Sequence, residues 1–401
     1  MNKFINESKR YFTLDKVLFG IMIAFATISV VAIYLSAPLL DNGQADAISL
    51  VKKQLMWFAI GFAVIAFLIK IGIDRLFTAI DIAYWILMVL LAGLVIARFA
   101  NINSSIVAPI NGTRAWYMIP GIGSFQPSEF MKIVLVIKAA NVIHQHNTDK
   151  EGYTFQSDFQ LFFKIAKFAL PPFILIFLQP DTGVPIVILF SLATMFILSG
   201  VRREWFIIIA TLSIGALLGI VFLYYNYPDV LNTLLGGGST SYRLDRFYGW
   251  LDYEKYAMGH GYQLFQSMIS YGTAGINGHP LGTMIAHYPE AQTDFIFAVI
   301  SQNFGFIGGS ITIALSFLFD IKLVSITKHS DLPRERYMMM GIIGMIFFQH
   351  LENIGMIMAV LPITGITLPF ISYGGSSLLS YMIPLAVAFH MYSETQNRHR
   401  H

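Results

Sequence analysis

Two carboxylates, Glu290 and Asp294, stand directly ahead of a long apolar run in the stretch AHYPEAQTDFIFAVISQ, residues 286–302. A charge at the mouth of a membrane-crossing segment is costly unless it is solvated, paired or used, so such a residue is a functional candidate by position alone. Asp294 is therefore read as the chemical centre, with the other loops on its side of a membrane gathered around it. Glu129 and Lys132, three residues apart, would share one helix face. They form either a structural ion pair that makes two charges tolerable near lipid or a pair lining a polar cavity. Asp181 lies in the turn Gln179-Pro180-Asp181-Thr182-Gly183. There it either caps the turn and the helix after it or shares a cavity with Asp294. Arg243 and Arg246 are three apart in SYRLDRFYGWLDYEKY, with Lys255 following. Arginine suits bidentate phosphate recognition, although basic residues among aromatics also suit lipid headgroups. Arg114, in NGTRAWYMIPGIG, is placed beside these as a supporting residue.

One more stretch, NIGMIMAVLPITGITLPFISYGGSSLL (353–379), interrupts hydrophobic sequence with two prolines, four glycines and a Ser-Tyr-Gly-Gly-Ser-Ser run. Irregular backbone at membrane depth is tolerated only where protein or a water-filled cavity surrounds it. This segment is read as a re-entrant turn that also walls the outer cavity. His260, His287 and the His144-x-His146 pair do not form a metal site by spacing. No cofactor follows from the residues, and a divalent cation is left open.

These residues must be positioned by membrane helices. The chain has 401 residues, of which 56% are hydrophobic and 12% charged, about half the charge of a soluble domain. The net charge of +3, spread over short loops, gives no footing for nucleic acid, and the absence of cysteine excludes disulfides and thiolate metal sites. Apolar runs predict an all-α polytopic membrane protein of about ten spans, forming one domain over residues 1–401. The spans fall near 17–39, 55–73, 78–97, 127–143, 163–179, 184–200, 205–224, 295–319, 337–358 and 377–392. The fourth, fifth and tenth are weakest, because they carry or adjoin Lys132, Lys138, Lys164, Lys167 and Glu394. The polar, basic N-terminus leads into an apolar run without a small-residue cleavage pattern, as expected of a retained first span. With that N-terminus inside, 18 of the 26 Lys and Arg fall on cytoplasmic segments and 8 outside, which predicts both termini in the cytoplasm. The outer segments are then 98–126, 179–184, 225–293 and 359–376. The third is too long to be a mere connection, and its apolar content predicts short helices lying against the membrane.

Taken together, these motifs resemble the SEDS family, the RodA, FtsW and SpoVE proteins of bacterial cell-wall synthesis. The resemblance rests on Asn111-Gly112 with Trp116, Gln126-Pro127-Ser128-Glu129 with Lys132, and Gln179-Pro180-Asp181. It continues with Gly261-Tyr262-Gln263, Gln266-Ser267, Thr293-Asp294-Phe295-Ile296-Phe297 and the 353–377 run, in the family's order over nearly the whole chain. A short loop between spans eight and nine and a short N-terminal tail are most like the RodA branch. The resemblance implies a peptidoglycan glycosyltransferase in the bacterial cytoplasmic membrane that polymerises lipid II on the extracytoplasmic face. It also implies a class B penicillin-binding protein as the crosslinking partner, and membrane lipid as the surroundings. By the same resemblance Asp294 is the essential acid, acting as general base, while Glu129, Lys132 and Asp181 support it. Arg243, Arg246 and Lys255 become candidates for offsetting the charge of the leaving diphosphate.

Departures from the family pattern are Gln302-Asn303, where a pair of glutamates is usual, Tyr253 in place of a common proline, and Ala274 and His279. The loss of acid eight residues after Asp294 bears on its tuning. Two readings of other classes stand beside the enzyme: a lipid II flippase, and a non-catalytic scaffold for the penicillin-binding protein.

Overall fold

A computed structural model describes residues 12–399 except 103, 108, 110–112, 121–122, 151, 153, 182 and 236–240; side chains at 232, 234–235, 241–245 and 399 are also outside the description. The Asn111-Gly112 turn and the Arg243 side chain therefore lie outside the described residues. The fold is helical apart from one short hairpin. Helices α1 (Lys16–Leu35), α2 (Gln44–Ile71), α3 (Ile73–Thr78) and α4 (Ile80–Phe99) precede strands β1 (Tyr117–Ile119) and β2 (Gly123–Phe125). Helices α5 (Pro127–Asp149), α6 (Phe155–Phe177), α7 (Gly183–Leu198) and α8 (Glu204–Asn226) follow. The long polar segment forms α9 (Pro228–Leu235), α10 (Ser241–Leu251) and α11 (Tyr262–Gly272), and the chain ends with α12 (Ile296–His329), α13 (Pro333–Ile357) and α14 (Gly375–His399).

Each of the ten expected spans falls on one of these helices. Seven are long and apolar enough to cross a membrane, α7 is apolar but shorter, and α5 and α14 carry too much polarity to qualify by composition. Burial explains the difference. In α5, 14 of 23 residues are buried, because it packs against α4, α6, α7, α13 and α14. Its Glu129, Lys132 and His146 meet protein rather than lipid. At the other extreme α8 has the most apolar span of all and buries none of it; its neighbours are α7 and α9. A helix facing acyl chains must be apolar all round, whereas one enclosed by other helices can carry polar side chains if they are paired. The expected fifth span begins earlier than its charges suggested. Thr154 caps α6 by accepting the Ser157 amide at 3.1 Å, and Lys164 and Lys167 lie within the helix.

The hairpin was not expected from an all-α reading. Tyr117 pairs with Phe125 and Ile119 with Gly123, and the Met118 amide donates to the Ile106 carbonyl at 2.7 Å. This folds the first outer loop back over the start of α5, whose Pro127 occupies the first turn.

α12 is kinked. Gly305 has φ 60° and ψ −153°, a conformation confined to glycine, and a Cβ there would meet the Gly278 nitrogen and the Ile276 oxygen at 2.4 Å. The loop after α11 closes around this kink. The Phe306 and Ile307 amides donate to the Gly275 and Ile276 carbonyls, and Gln302 Nε2 donates to the Thr283 carbonyl at 2.6 Å. Gly305→Ala is expected to cost on the order of 1–3 kcal/mol from backbone strain alone, with more from the collision. The readout is a lowered thermal unfolding midpoint of the detergent-solubilised protein; an unchanged midpoint would show that the kink is not fixed by glycine.

Candidate active site

One end of the bundle encloses a cavity of about 570 Å³, within the range of small-molecule sites. Its base is the first turns of α5 and α7. Gln126 at the N-cap and the Glu129–Lys132 pair come from α5, Pro180 and Asp181 from the turn before α7, and Gly183 and Val184 from its first turn. Its walls are the loop 289–294, the turn 364–377, Arg246 of α10 and Gln263 of α11, with Trp57 of α2 at the side.

Lys132 is 1% exposed. Its Nζ lies 2.7 Å from Glu129 Oε2 and 2.5 Å from the Tyr381 hydroxyl, and that hydroxyl donates in turn to the Gln349 carboxamide oxygen. The two sequence alternatives for this pair both hold: it is a structural ion pair and it lines the cavity. Asp181 likewise does both. Its Oδ1 accepts the Val184 amide at 3.2 Å, capping the start of α7, and its Oδ2 accepts from Gln126 Nε2 at 3.1 Å. Burial pushes its pKa up to about 6, a rise that the Val184 amide opposes and Glu129 adds to.

Asp294 lies one residue before the N-cap of α12. Its carboxylate and the Arg246 guanidinium converge on Gly365: a Cβ built there would lie 2.6 Å from Arg246 Nη1 and 3.0 Å from Asp294 Oδ2. Gly365, at φ +75°, is thus fixed both by its backbone conformation and by the charges against it. Burial raises the Asp294 pKa to about 7; Arg246 lowers it, while Glu290 and Asp181 raise it. A carboxylate so placed exchanges a proton near neutral pH, beside a cation able to hold an anionic group.

The backbone at Asp294 is held from outside the cavity. Asn353 Nδ2 donates to the Asp294 carbonyl at 2.7 Å and to the Ile366 carbonyl at 2.8 Å. Ser372 Oγ donates to the Thr293 carbonyl at 2.6 Å, and the Tyr373 amide to the Gln292 carbonyl at 2.9 Å. Glu290, at φ 59°, accepts the Thr293 hydroxyl at 2.8 Å. The turn 364–377 and the loop 289–294 are therefore one stitched wall.

Of the residues singled out in the sequence, the cavity gathers Glu129, Lys132, Asp181, Arg246, Glu290 and Asp294. It does not gather Arg114, whose Nη1 donates to the Ala97 carbonyl at 2.7 Å, or Lys255, an exposed residue over the Tyr256 ring. Arg114 is drawn to the C-terminal carbonyls of α4, where a cation complements the helix dipole. Lys255 lies in the turns that follow the end of α10. Gln302 and Asn303 do not line the cavity either: Asn303 Oδ1 accepts the Gly282 amide at 2.9 Å. Their expected influence on Asp294 gives way to a role in anchoring the loop at the kink. Among the described residues no three His, Asp or Glu side chains are grouped to hold a metal ion.

Sequence reasoning missed Trp57, Gln349, Tyr381 and Gly365. The signal for Gln349 and Tyr381 was a lone polar group inside an apolar run, which has to find a partner when buried.

The cell cycle protein family of FtsW, RodA and SpoVE matches residues 15–397. The chain is 29% identical over 385 residues to stage V sporulation protein E of Bacillus subtilis, covering 93% of this chain and 95% of that protein. It is 32% identical over 341 residues to a probable peptidoglycan glycosyltransferase FtsW of Dichelobacter nodosus, covering 84% and 78%. A solved structure from work on the structural coordination of polymerization and crosslinking by a peptidoglycan synthase complex superposes with a TM-score of 0.72, at 26% identity, over 96% of this chain and 99% of that one. Matched from its first helix to its last, this chain belongs to the FtsW, RodA and SpoVE family of multi-pass membrane proteins.

Proposed function

We propose that this protein is a peptidoglycan glycosyltransferase that polymerises lipid II at the outer face of the bacterial cytoplasmic membrane. A class B penicillin-binding protein is its crosslinking partner. The observation that carries the reading is the meeting of Asp294 and Arg246 against Gly365 inside a polar cavity. Relatives named as glycosyltransferases, and a similar structure from a complex that couples polymerisation to crosslinking, support it. The three-residue connection between α12 and α13 favours the RodA branch and a role in cell shape.

Chain extension joins an acceptor sugar hydroxyl to the anomeric carbon of a lipid-linked donor. The new C–O bond forms as the bond from that carbon to the diphosphate oxygen breaks, and the bonding pair departs with undecaprenyl diphosphate. The acceptor proton passes to Asp294. A base whose pKa sits near the working pH combines a large deprotonated fraction with useful basicity. Arg246 offers a planar fork to the departing diphosphate. It also couples binding to chemistry: when its guanidinium turns to phosphate it stabilises the Asp294 carboxylate less, and the base strengthens. Glu129, Lys132 and Asp181 form the polar base of the cavity on which the sugars rest. No step is assigned to a metal.

The flippase reading calls for charged or broken helices at mid-bilayer facing a path. Here the charges of the cavity stand at one end of the bundle. The scaffold reading drew on Gln302 and Asn303, and these hold a loop rather than face the cavity.

Labelled lipid II incubated with the purified protein and its partner should yield glycan strands, and Asp294→Ala should lower the rate by about 10²–10⁴-fold while leaving folding and partner binding intact. No polymer from either protein, with both intact, would sink the enzyme reading.

The pH profile gives a second test. The base works deprotonated, so the rate should climb with pH through about 7 and then level off. Removing the cation in Arg246→Gln should move that inflection to higher pH as well as slowing the reaction. An inflection that stays in place would separate Arg246 from Asp294.

Gly365→Ala is expected to retain fold, since the backbone penalty is roughly 1–2 kcal/mol, yet to abolish polymerisation by driving a methyl between the two charges. Wild-type turnover in this variant would overturn the geometry proposed here.

A further inference from the structure

Asp294 takes its place from the end of α13, because Asn353 holds its carbonyl. Arg246, which meets it against Gly365, stands on α10, a helix of 11 residues in the outer loop that packs against α9 and α11. The C-terminal end of α10 is attached on several sides. Gly249 lies against the start of α11, where a Cβ would meet the His260 carbonyl oxygen at 2.3 Å and the Gly261 nitrogen at 2.8 Å. Asp252, just beyond the helix, accepts the hydroxyl of Tyr224 from α8, the helix whose apolar span is not buried at all. A further contact reaches the bundle directly: Trp250 Nε1 donates to the Ala359 carbonyl at 3.0 Å.

Both ends of that bond are built for it. A packed indole needs an acceptor for its N–H, and Trp250 rests against the main core with the Phe247 ring edge-on at 5.9 Å. Ala359 follows Met358, the C-cap of α13, where carbonyls have run out of helical donors. Its φ of 59° is uncommon for a residue with a Cβ. The turn is fixed by the Val360 and Leu361 amides, which donate to the Gly355 carbonyl at 2.9 and 3.1 Å. Trp250 and Arg246 are four residues apart on α10 and so share one face of it. Whatever fixes the rotation of one about the helix axis fixes the other.

We infer that Trp250 is a positioning residue for Arg246: its indole N–H, bonded to the Ala359 carbonyl, turns α10 so that the guanidinium meets the Asp294 carboxylate against Gly365. Gly249 sets how closely α10 approaches α11, and Trp250 sets which face it presents to the cavity. The end of α13 then places both charges, Asp294 through Asn353 and Arg246 through Trp250. The effect on turnover rests on the glycosyltransferase reading, whereas the placement of Arg246 does not.

The test compares wild type, Trp250→Phe, Trp250→Gln and Arg246→Gln, with Trp250→Phe made also in the Arg246→Gln background and folding checked by thermal melting. Two readouts are taken on the full chain. One is polymerisation of labelled lipid II, with the partner present, as a function of pH. The other is infrared titration of the Asp294 carboxyl stretch, assigned by its absence in Asp294→Asn. The charges bearing on Asp294 are Arg246, Glu290 and Asp181, with the Glu129–Lys132 pair in the same cavity. Trp250→Phe leaves all of these in the chain and loosens Arg246 alone, and a cation held less closely favours the carboxylate less. Polymerisation should slow by about three- to tenfold, the worth of one neutral hydrogen bond. The rate inflection and the infrared midpoint should both move to higher pH, by less than Arg246→Gln moves them. In the Arg246→Gln background the same substitution should move neither. Trp250→Gln, which restores an N–H donor, should return both toward wild type. An unmoved infrared midpoint in Trp250→Phe, or a shift that persists without Arg246, would overturn the inference. A shift in Trp250→Gln as large as that in Trp250→Phe would overturn the hydrogen bond as its means. Absence of polymer from wild type would count against the enzyme reading alone, since the infrared midpoint still decides the placement.

Discussion

A full ammonium group lies almost wholly inside the bundle at Lys132, and the helices around it are arranged to answer it. Removing a charge from water costs several kcal/mol even after relaxation. Glu129 supplies the countercharge from one turn earlier on α5, Tyr381 supplies an acceptor from α14, and Gln349 of α13 receives the Tyr381 proton. Three helices are thereby fixed in rotation about one point. Losing any partner would strand a buried charge, which is a penalty of a few kcal/mol. The same constraint creates the site. The polar group that pins the three helices also makes the base of the cavity hydrophilic, at a depth where a purely apolar junction would close.

Above that base, Asp294 and the wall that carries it depend on a second, neutral device. The carboxamide of Asn353, itself fully buried, bridges the carbonyls of Asp294 and Ile366. Both carbonyls belong to irregular backbone, which has no ladder of its own to satisfy them. An amide able to donate twice is the economical answer, and its position at the end of α13 transmits the rigidity of a helix to two loops at once. Asp294 is thus held through its main chain, leaving its side chain available to the cavity. Arg246 arrives from α10, and Gly365 is what lets the two side chains meet there.

Much of this could be read from residues in order. Asp294 stood out because a carboxylate before an apolar run has few inexpensive explanations, and Glu129, Lys132 and Asp181 because each recurred at the same end of its span. The ten helices followed from apolar runs, yet α5 and α14 were the faintest for a physical reason: burial inside protein relaxes the demand for apolarity on which such runs depend. The hairpin at 117–125 was hidden by strands of three residues, too short to show alternation. What the chain order could not show was depth and partnership. Arg246 and Lys255 look equivalent in sequence, and only the course of α10 sends one into the cavity and leaves the other on the surface. Tyr381 and Gln349 are 32 residues apart, and their union depends on how α13 and α14 cross.

Gln302 and Asn303 show how a local departure can change meaning once folded. In sequence they lie eight and nine residues after Asp294, in the helix that it precedes and close enough to suggest an electrostatic effect. Eight residues of helix is about 12 Å, and the kink at Gly305 draws this part of α12 toward the loop 274–283. There the two amides do what carboxylates could not do equally well. Asn303 accepts a backbone amide with one end of its side chain and donates to the Val299 carbonyl with the other. Gln302 donates to Thr283. An ionised glutamate at either place has acceptors only, and would face the Thr283 or Val299 carbonyl with no hydrogen to offer. The amides suit a loop closed directly onto the kink, and the acidity of Asp294 is left to the groups that touch its cavity.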